Sequence, residues 1–128
     1  MIASEIMTCH VHTTSPQASV KEVARLLYRE RISGVPVIDD KSGQLVGMIT
    51  ESDILKQCVC GDIKVAEIMS RQLTAVDEDT PISEVAVLLA ERHIKRVPVM
   101  HAGHVVGIVS RADVVQAVAM GELLVRPW

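Results

Sequence analysis

Nearly every recognisable segment of this 128-residue chain occurs twice. Glu5-Ile6-Met7 returns as Glu67-Ile68-Met69, and Val35-Pro36-Val37 as Val97-Pro98-Val99, each 62 positions later. Gly47-Met48-Ile49-Thr50-Glu51-Ser52-Asp53 returns as Gly107-Ile108-Val109-Ser110-Arg111-Ala112-Asp113, but only 60 positions later. The slippage falls between Ile38 and Gly43, where Asp39-Asp40-Lys41-Ser42 faces the shorter Met100-His101-Ala102. A polar stretch that changes length between copies reads as a hairpin loop, because surface connections accept insertions and core strands do not. Residues 1–60 form one copy and residues 61–128 the other. Two copies of so small a unit are expected to pack on each other, leaving related clefts between them.

The length suits one sizeable core. That core must be aliphatic: the chain has no Phe, one Tyr (Tyr28) and one Trp (Trp128), although 48% of its residues are hydrophobic. A base bound here would be gripped by aliphatic side chains and backbone, without an aromatic platform. A net charge of −3 argues against a nucleic-acid surface, which needs clustered Lys and Arg. No run approaches the roughly 18 apolar residues of a membrane span. Met1-Ile2-Ala3-Ser4-Glu5 lacks the basic and apolar regions of a signal peptide. Three cysteines cannot all pair within one molecule, which favours a reducing compartment and a cytoplasmic location.

Each copy reads as strand, helix, strand, strand, helix. Val20, Val23, Ala24, Leu26 and Leu27 recur at helical spacing up to about Arg31, with Ser19 as the N-cap. Ile82, Val85, Ala86, Leu88 and Leu89 repeat the pattern after Pro81, which suits a first helical turn, with Asp79 or Thr80 as the cap. A proline inside each Val-Pro-Val run predicts an edge strand or a strand's first residues. The second strands run over Leu45 to Thr50 and Val105 to Ser110, and the closing helices over Glu51 to about Gln57 and Arg111 to about Met120. Val114, Val115, Ala117, Val118, Ala119, Leu123 and Leu124 make the last helix apolar on more than one stripe, for burial or for a second copy of the chain.

The chemically loaded positions are Thr50-x-x-Asp53 and Ser110-x-x-Asp113. A hydroxyl followed three residues later by an acid is a variant capping box that satisfies the first amides of a helix. The same groups suit a ribose, since a carboxylate accepts from a vicinal diol while hydroxyl and free amides meet an oxygen or a phosphate. The two readings are compatible, because a ligand can share a cap.

The order Glu-Ile-Met, amphipathic helix, Ile32-Ser33-Gly34-Val35-Pro36-Val37-Ile38-Asp39 and Gly47-x-x-Thr50-x-x-Asp53 resembles a cystathionine-β-synthase-type (CBS) domain. Ile94-Lys95-Arg96-Val97-Pro98-Val99 with Gly107-x-x-Ser110-x-x-Asp113 resembles its partner, so the chain is similar to a tandem CBS pair, or Bateman module. The resemblance implies an α/β (α+β) fold of two βαββα repeats, packed through small sheets about a pseudo-twofold axis and commonly dimerising into a flat disc. It implies clefts for adenosine-containing ligands: AMP, ADP, ATP or S-adenosylmethionine. By the same resemblance Asp53 and Asp113 would hold ribose hydroxyls, with Thr50 and Ser110 near ribose or phosphate. Ile32, Ser33, Gly34, Val35 and Pro36, and Ile94, Lys95, Arg96, Val97 and Pro98, would line the adenine and phosphate sides. The segments around His12, Thr13 and Thr14, and from Thr74 to Val76, would offer backbone to the base.

The copies differ in charge. Ser33-Gly34 aligns with Lys95-Arg96, and Glu51 with Arg111, so three cations in the second copy face none in the first. These cations form either a solvated basic face or a hold for a phosphate chain, at about 1.5–3 kcal/mol per charge-assisted contact. The expectation is one well-formed nucleotide site at Asp113 and a weaker one at Asp53. Cys9, His10 and His12, and Cys58 with Cys60, lack the spacing of a closed zinc site, so no metal is expected. His101 and His104 flank a turn and are expected in solvent, and His93 is a lesser candidate beside Lys95.

No dinucleotide fingerprint, phosphate-binding loop or nucleophile elbow is present, and no catalytic cofactor is expected. The sequence therefore points to a non-catalytic sensor that binds an adenosine ligand and signals by changing the arrangement of its repeats. It would act on an effector protein or on an output domain beyond these residues. The competing reading is a dimerising scaffold whose clefts are vestigial. Which ligand binds, how many clefts fill and what lies downstream are not written in the sequence.

Overall fold

The computed structural model describes residues 1–57, 61 and 63–121. Cys58, Cys60, Leu123 and Leu124 lie outside the described residues. The elements run α1 (Ala3–Ile6), α2 (Val20–Glu30), β1 (Gly34–Ile38), β2 (Leu45–Thr50), α3 (Glu51–Lys56), α4 (Val65–Ile68), β3 (Val76–Asp77), α5 (Ile82–Glu91), β4 (Arg96–His101), β5 (His104–Ser110) and α6 (Arg111–Ala119). This is a mixed α+β fold with small sheets. The two compact units are not consecutive halves. One is His12–Leu73; the other joins Met1–Val11 to Thr74–Trp128. Each unit thus carries the leading Glu-Ile-Met segment of the opposite sequence repeat.

In the unit His12–Leu73, β1 and β2 form an antiparallel hairpin. Ser19 caps α2 as its sequence suggests, accepting from the Glu22 amide at 3.1 Å. The helix closes on Arg31 in the left-handed region, with the Ile32 amide donating to Leu27 O at 3.1 Å. Val23 and Leu27 from α2, Val35 and Val37 from β1, Ile49 from β2, and Val65 and Met69 from the returning segment make the core. In the loop between the strands the Asp39 carboxylate accepts the Ser42 hydroxyl at 2.8 Å and the Ser42 amide at 2.9 Å. Those bonds hold its carboxyl below the ordinary carboxylate range.

The other unit repeats the plan. Ala3, Ile82, Val85, Leu89, Val97, Val99 and Val109 are its buried core. β4 pairs antiparallel with β5 through a two-residue turn, His101↔His104, in which Ala102 and Gly103 both have positive φ (49° and 80°). Positive φ at both central residues matches the right-handed twist of the flanking strands, and glycine meets it without strain.

Three expectations need correction. β4 is the middle strand of the order β3-β4-β5, not an edge. Pro98 is accommodated because the parallel ladder to β3 begins only at Val76↔Val99, just past the residue that cannot donate. The leading strand of the first repeat shrinks to one bridge, Thr14 with Val37. In the second repeat the ladder continues through the Glu78 amide, which donates to Met100 O at 3.2 Å. Pro16 holds the equivalent place and has no N–H to give. Neither Asp79 nor Thr80 caps α5: the Thr80 hydroxyl accepts from the Asp77 amide, the Asp79 amide donates to the Asp77 carboxylate, and Pro81 itself is the cap.

The exchanged segments explain the motif glycines. Met48 and Ser70 trade backbone bonds at 3.0 and 2.8 Å, as do Ile108 and Thr8 at 3.0 and 2.8 Å. A Cβ on Gly47 would lie 2.5 Å from Ser70 O, while one on Gly107 would run into the Met7 side chain. A backbone carbonyl held in a ladder cannot move aside, whereas a methionine can repack. Gly47→Ala is therefore expected to cost about 1–3 kcal/mol and Gly107→Ala distinctly less, as read by urea denaturation.

Candidate functional site

The end of β2 and the end of β5 each run straight into a helix, and the two junctions superpose bond for bond. Thr50 caps α3: its amide and hydroxyl donate to Asp53 Oδ2 at 2.9 and 3.1 Å, and its oxygen accepts from the Asp53 amide at 3.3 Å. Ser110 caps α6 in the same way, donating to Asp113 Oδ2 at 2.8 and 3.0 Å and accepting from the Asp113 amide at 3.2 Å. Both carboxylates spend a single oxygen on the cap. Oδ1 of each takes no hydrogen bond among the described residues, and both aspartates are only half-buried. A carboxylate so arranged is oriented by the protein and still has acceptor capacity for a ligand donor.

The residues before each Val-Pro-Val run are sewn to these junctions. The Glu51 amide donates to Ser33 O at 2.9 Å, and the Arg111 amide donates to Lys95 O at 2.9 Å. Gly34 faces Thr50 and Arg96 faces Ser110 across their sheets. Arg111 adds a bond with no counterpart among the described residues of the other unit, from Nε to Ile94 O at 2.8 Å. Sequence reasoning counted Arg111 as a cation and missed that its own strand-leading segment anchors it. Lys95 is exposed and Arg96 half-buried.

The remaining candidates fall into two groups. Val35, Pro36, Val97 and Pro98 are fully buried, so their side chains belong to the cores and position Gly34 and Arg96. His12 is half-buried, with Nε2 3.6 Å from Glu30 Oε2, and Thr13 is exposed beside it. Thr74 is half-buried ahead of β3. His104 is exposed as expected, while His101 Nδ1 lies 2.7 Å from Glu78 Oε1, a pairing the sequence did not reveal. His93 is exposed and in the left-handed region after α5. Among the described residues no group of three or more His, Cys, Asp or Glu is placed to hold a metal, and no helix is long and apolar enough to cross a membrane.

The overall fold recurs in known proteins. The family model for the CBS domain matches residues 3–59 and again 65–120. The chain belongs to the CBS domain family. A CBS domain-containing protein of Bacillus subtilis, YhcV, is 30% identical over 113 residues, covering 85% of this chain and 79% of YhcV. The CBS domain pair of protein MJ0100, solved with 5′-methylthioadenosine and S-adenosyl-L-methionine, matches with TM-score 0.84 and 31% identity over 96% of this chain and 98% of that one. CBSX2, from Arabidopsis thaliana and solved with AMP, matches with TM-score 0.84 and 29% identity over 95% and 98%. In two further curated relatives the match spans only 22% and 21% of a much longer chain.

Because the bonds of each cap are reciprocal, their energies should not add. Ser110→Ala and Asp113→Ala are each expected to cost about 0.5–2 kcal/mol of stability. The double variant should cost clearly less than their sum, and a thermal-denaturation double-mutant cycle measures the difference.

Proposed function

We propose that this CBS pair is a regulatory module that binds adenosine-containing ligands, with the carboxylates of Asp53 and Asp113 receiving ribose hydroxyls. The observation that carries the reading is the uncommitted Oδ1 on an aspartate whose other oxygen is locked into a cap. Such a group is pre-oriented, so a vicinal diol gains charge-assisted hydrogen bonds without the protein losing further conformational freedom. Thr50 and Ser110 lie beside the ribose, and the backbone near His12, Thr13 and Thr74 offers contacts to the base. Support comes from the similar pairs solved with AMP and with S-adenosyl-L-methionine and 5′-methylthioadenosine.

In this reading the ligand is a signal and not a substrate. It stabilises whichever conformational state binds it better, and the output is that difference in affinity. The module works in the cytoplasm on an effector protein or an attached domain, and needs no catalytic cofactor. It also works as a homodimer. Leu55 on α3 and Val115 on α6 hold equivalent positions and are 74% and 65% exposed, which suits apolar contact with a second copy.

Thermal unfolding tests the ligand class. AMP, ADP, ATP or S-adenosylmethionine at 100 times its dissociation constant should add about 2.7 kcal/mol of stability. Asp53→Ala together with Asp113→Ala should abolish the shift. A wild-type protein indifferent to all four ligands would instead favour a dimerising scaffold in which both junctions are caps alone.

A further inference from the structure

We infer that the two units discriminate between adenosine ligands by charge. The unit carrying Lys95, Arg96 and Arg111 takes an anionic, phosphorylated ligand, and the unit carrying Ser33, Gly34 and Glu51 takes an uncharged or cationic one. This rests on the adenosine-binding reading above and assigns a ligand class to each of its two sites.

The hydrogen bonding of the two junctions barely differs. The capping bonds at the two junctions agree to within a tenth of an ångström, at 2.9, 3.1 and 3.3 Å against 2.8, 3.0 and 3.2 Å. The strand-leading segment is tied to the helix start by the same amide-to-carbonyl bond, 2.9 Å long in both units. These bonds fix which residues correspond: Ser33 with Lys95, Gly34 with Arg96, and Glu51 with Arg111. The ribose end of each site is therefore the same, and the change lies in the charges around it.

At the first helical position the sign is reversed outright, Glu51 against Arg111. The Arg111 guanidinium is held by its Nε bond to Ile94 O, while its two terminal nitrogens make no hydrogen bond among the described residues. A tethered guanidinium with open donors loses little freedom on meeting a phosphate and offers it paired N–H groups. Lys95 and Arg96 add positive charge on the segment that carries the tether. In the other unit the same place presents an exposed carboxylate next to a serine and a glycine. A phosphate there meets a like charge at the first helical position, whereas an uncharged nucleoside or a sulfonium does not suffer that repulsion.

The test is calorimetric titration of the full chain with AMP and with adenosine, one site at a time. In the Asp53→Ala protein, whose intact junction is the basic one, AMP should bind at least about tenfold tighter than adenosine (~1.4 kcal/mol). That preference should weaken as salt is raised. In the Asp113→Ala protein, AMP should bind no tighter than adenosine. Charge reversal supplies the second arm. Arg111→Glu in the Asp53→Ala protein should erase the AMP preference, and Glu51→Arg in the Asp113→Ala protein should create one. Each fold already carries the introduced residue at the corresponding place in its other unit, so both variants should fold, which circular dichroism checks. The same AMP-to-adenosine ratio in both single-site proteins, or a ratio unmoved by the reversals, overturns the charge inference and leaves adenosine binding standing. Binding of neither compound to the wild-type chain overturns both.

Discussion

One carboxylate oxygen closes each junction of strand and helix, and the geometry of the candidate site depends on it. Asp53 Oδ2 and Asp113 Oδ2 each gather an amide and a hydroxyl from the capping residue, while the hydroxyl in turn accepts the aspartate's own amide. Three bonds among two residues leave the side chains little freedom to turn. The helix start, the end of the strand and the carboxylate therefore form one rigid piece. The fold needs that piece for ordinary reasons, since helix termini leave donors that must be satisfied. A carboxylate has two oxygens, and the cap consumes one.

The second constraint is the exchange of leading segments. Each Glu-Ile-Met turn buries its Ala3 or Val65 in the unit of the other repeat and lays its backbone along β5 or β2. Glycine at 47 and 107 is the consequence, because a side chain there would stand where the crossing segment runs. One compact unit joins Met1–Val11 to Thr74–Trp128, and the other, His12–Leu73, runs across the boundary between the two sequence repeats. This bears on any attempt to study a repeat alone: cutting between residues 60 and 61 would strip each unit of a core residue and a ladder.

Much of this was legible in the sequence, for identifiable reasons. The helical spacing of Val20, Val23 and Leu27, the Ser19 cap and the hydroxyl-x-x-Asp caps are local signals, and local signals survive translation into structure. The paired capping aspartates and the charge difference between repeats were visible because duplication aligns the chain with itself. Most of the misses were non-local. The central position of β4 depended on where β3 begins to pair, and the loss of a strand around Thr14 on a proline standing where the other repeat has a donor. The α5 cap was missed because Thr80 and Asp77 spend their side chains on the turn. The exchange of leading segments, the His101 pairing with Glu78 and the Arg111 tether join residues whose proximity no periodicity announces.

The central claim is that the uncommitted oxygen of Asp53 and Asp113 receives a ribose diol, and a ligand lacking that diol tests it most directly. Isothermal titration of the wild-type chain with adenosine and with 2′,3′-dideoxyadenosine leaves base and charge unchanged and removes only the two hydroxyls. Two lost hydrogen bonds to a charged acceptor should weaken binding by about a hundredfold or more. Equal affinity for the two nucleosides would contradict the account and return both aspartates to the role of helix caps.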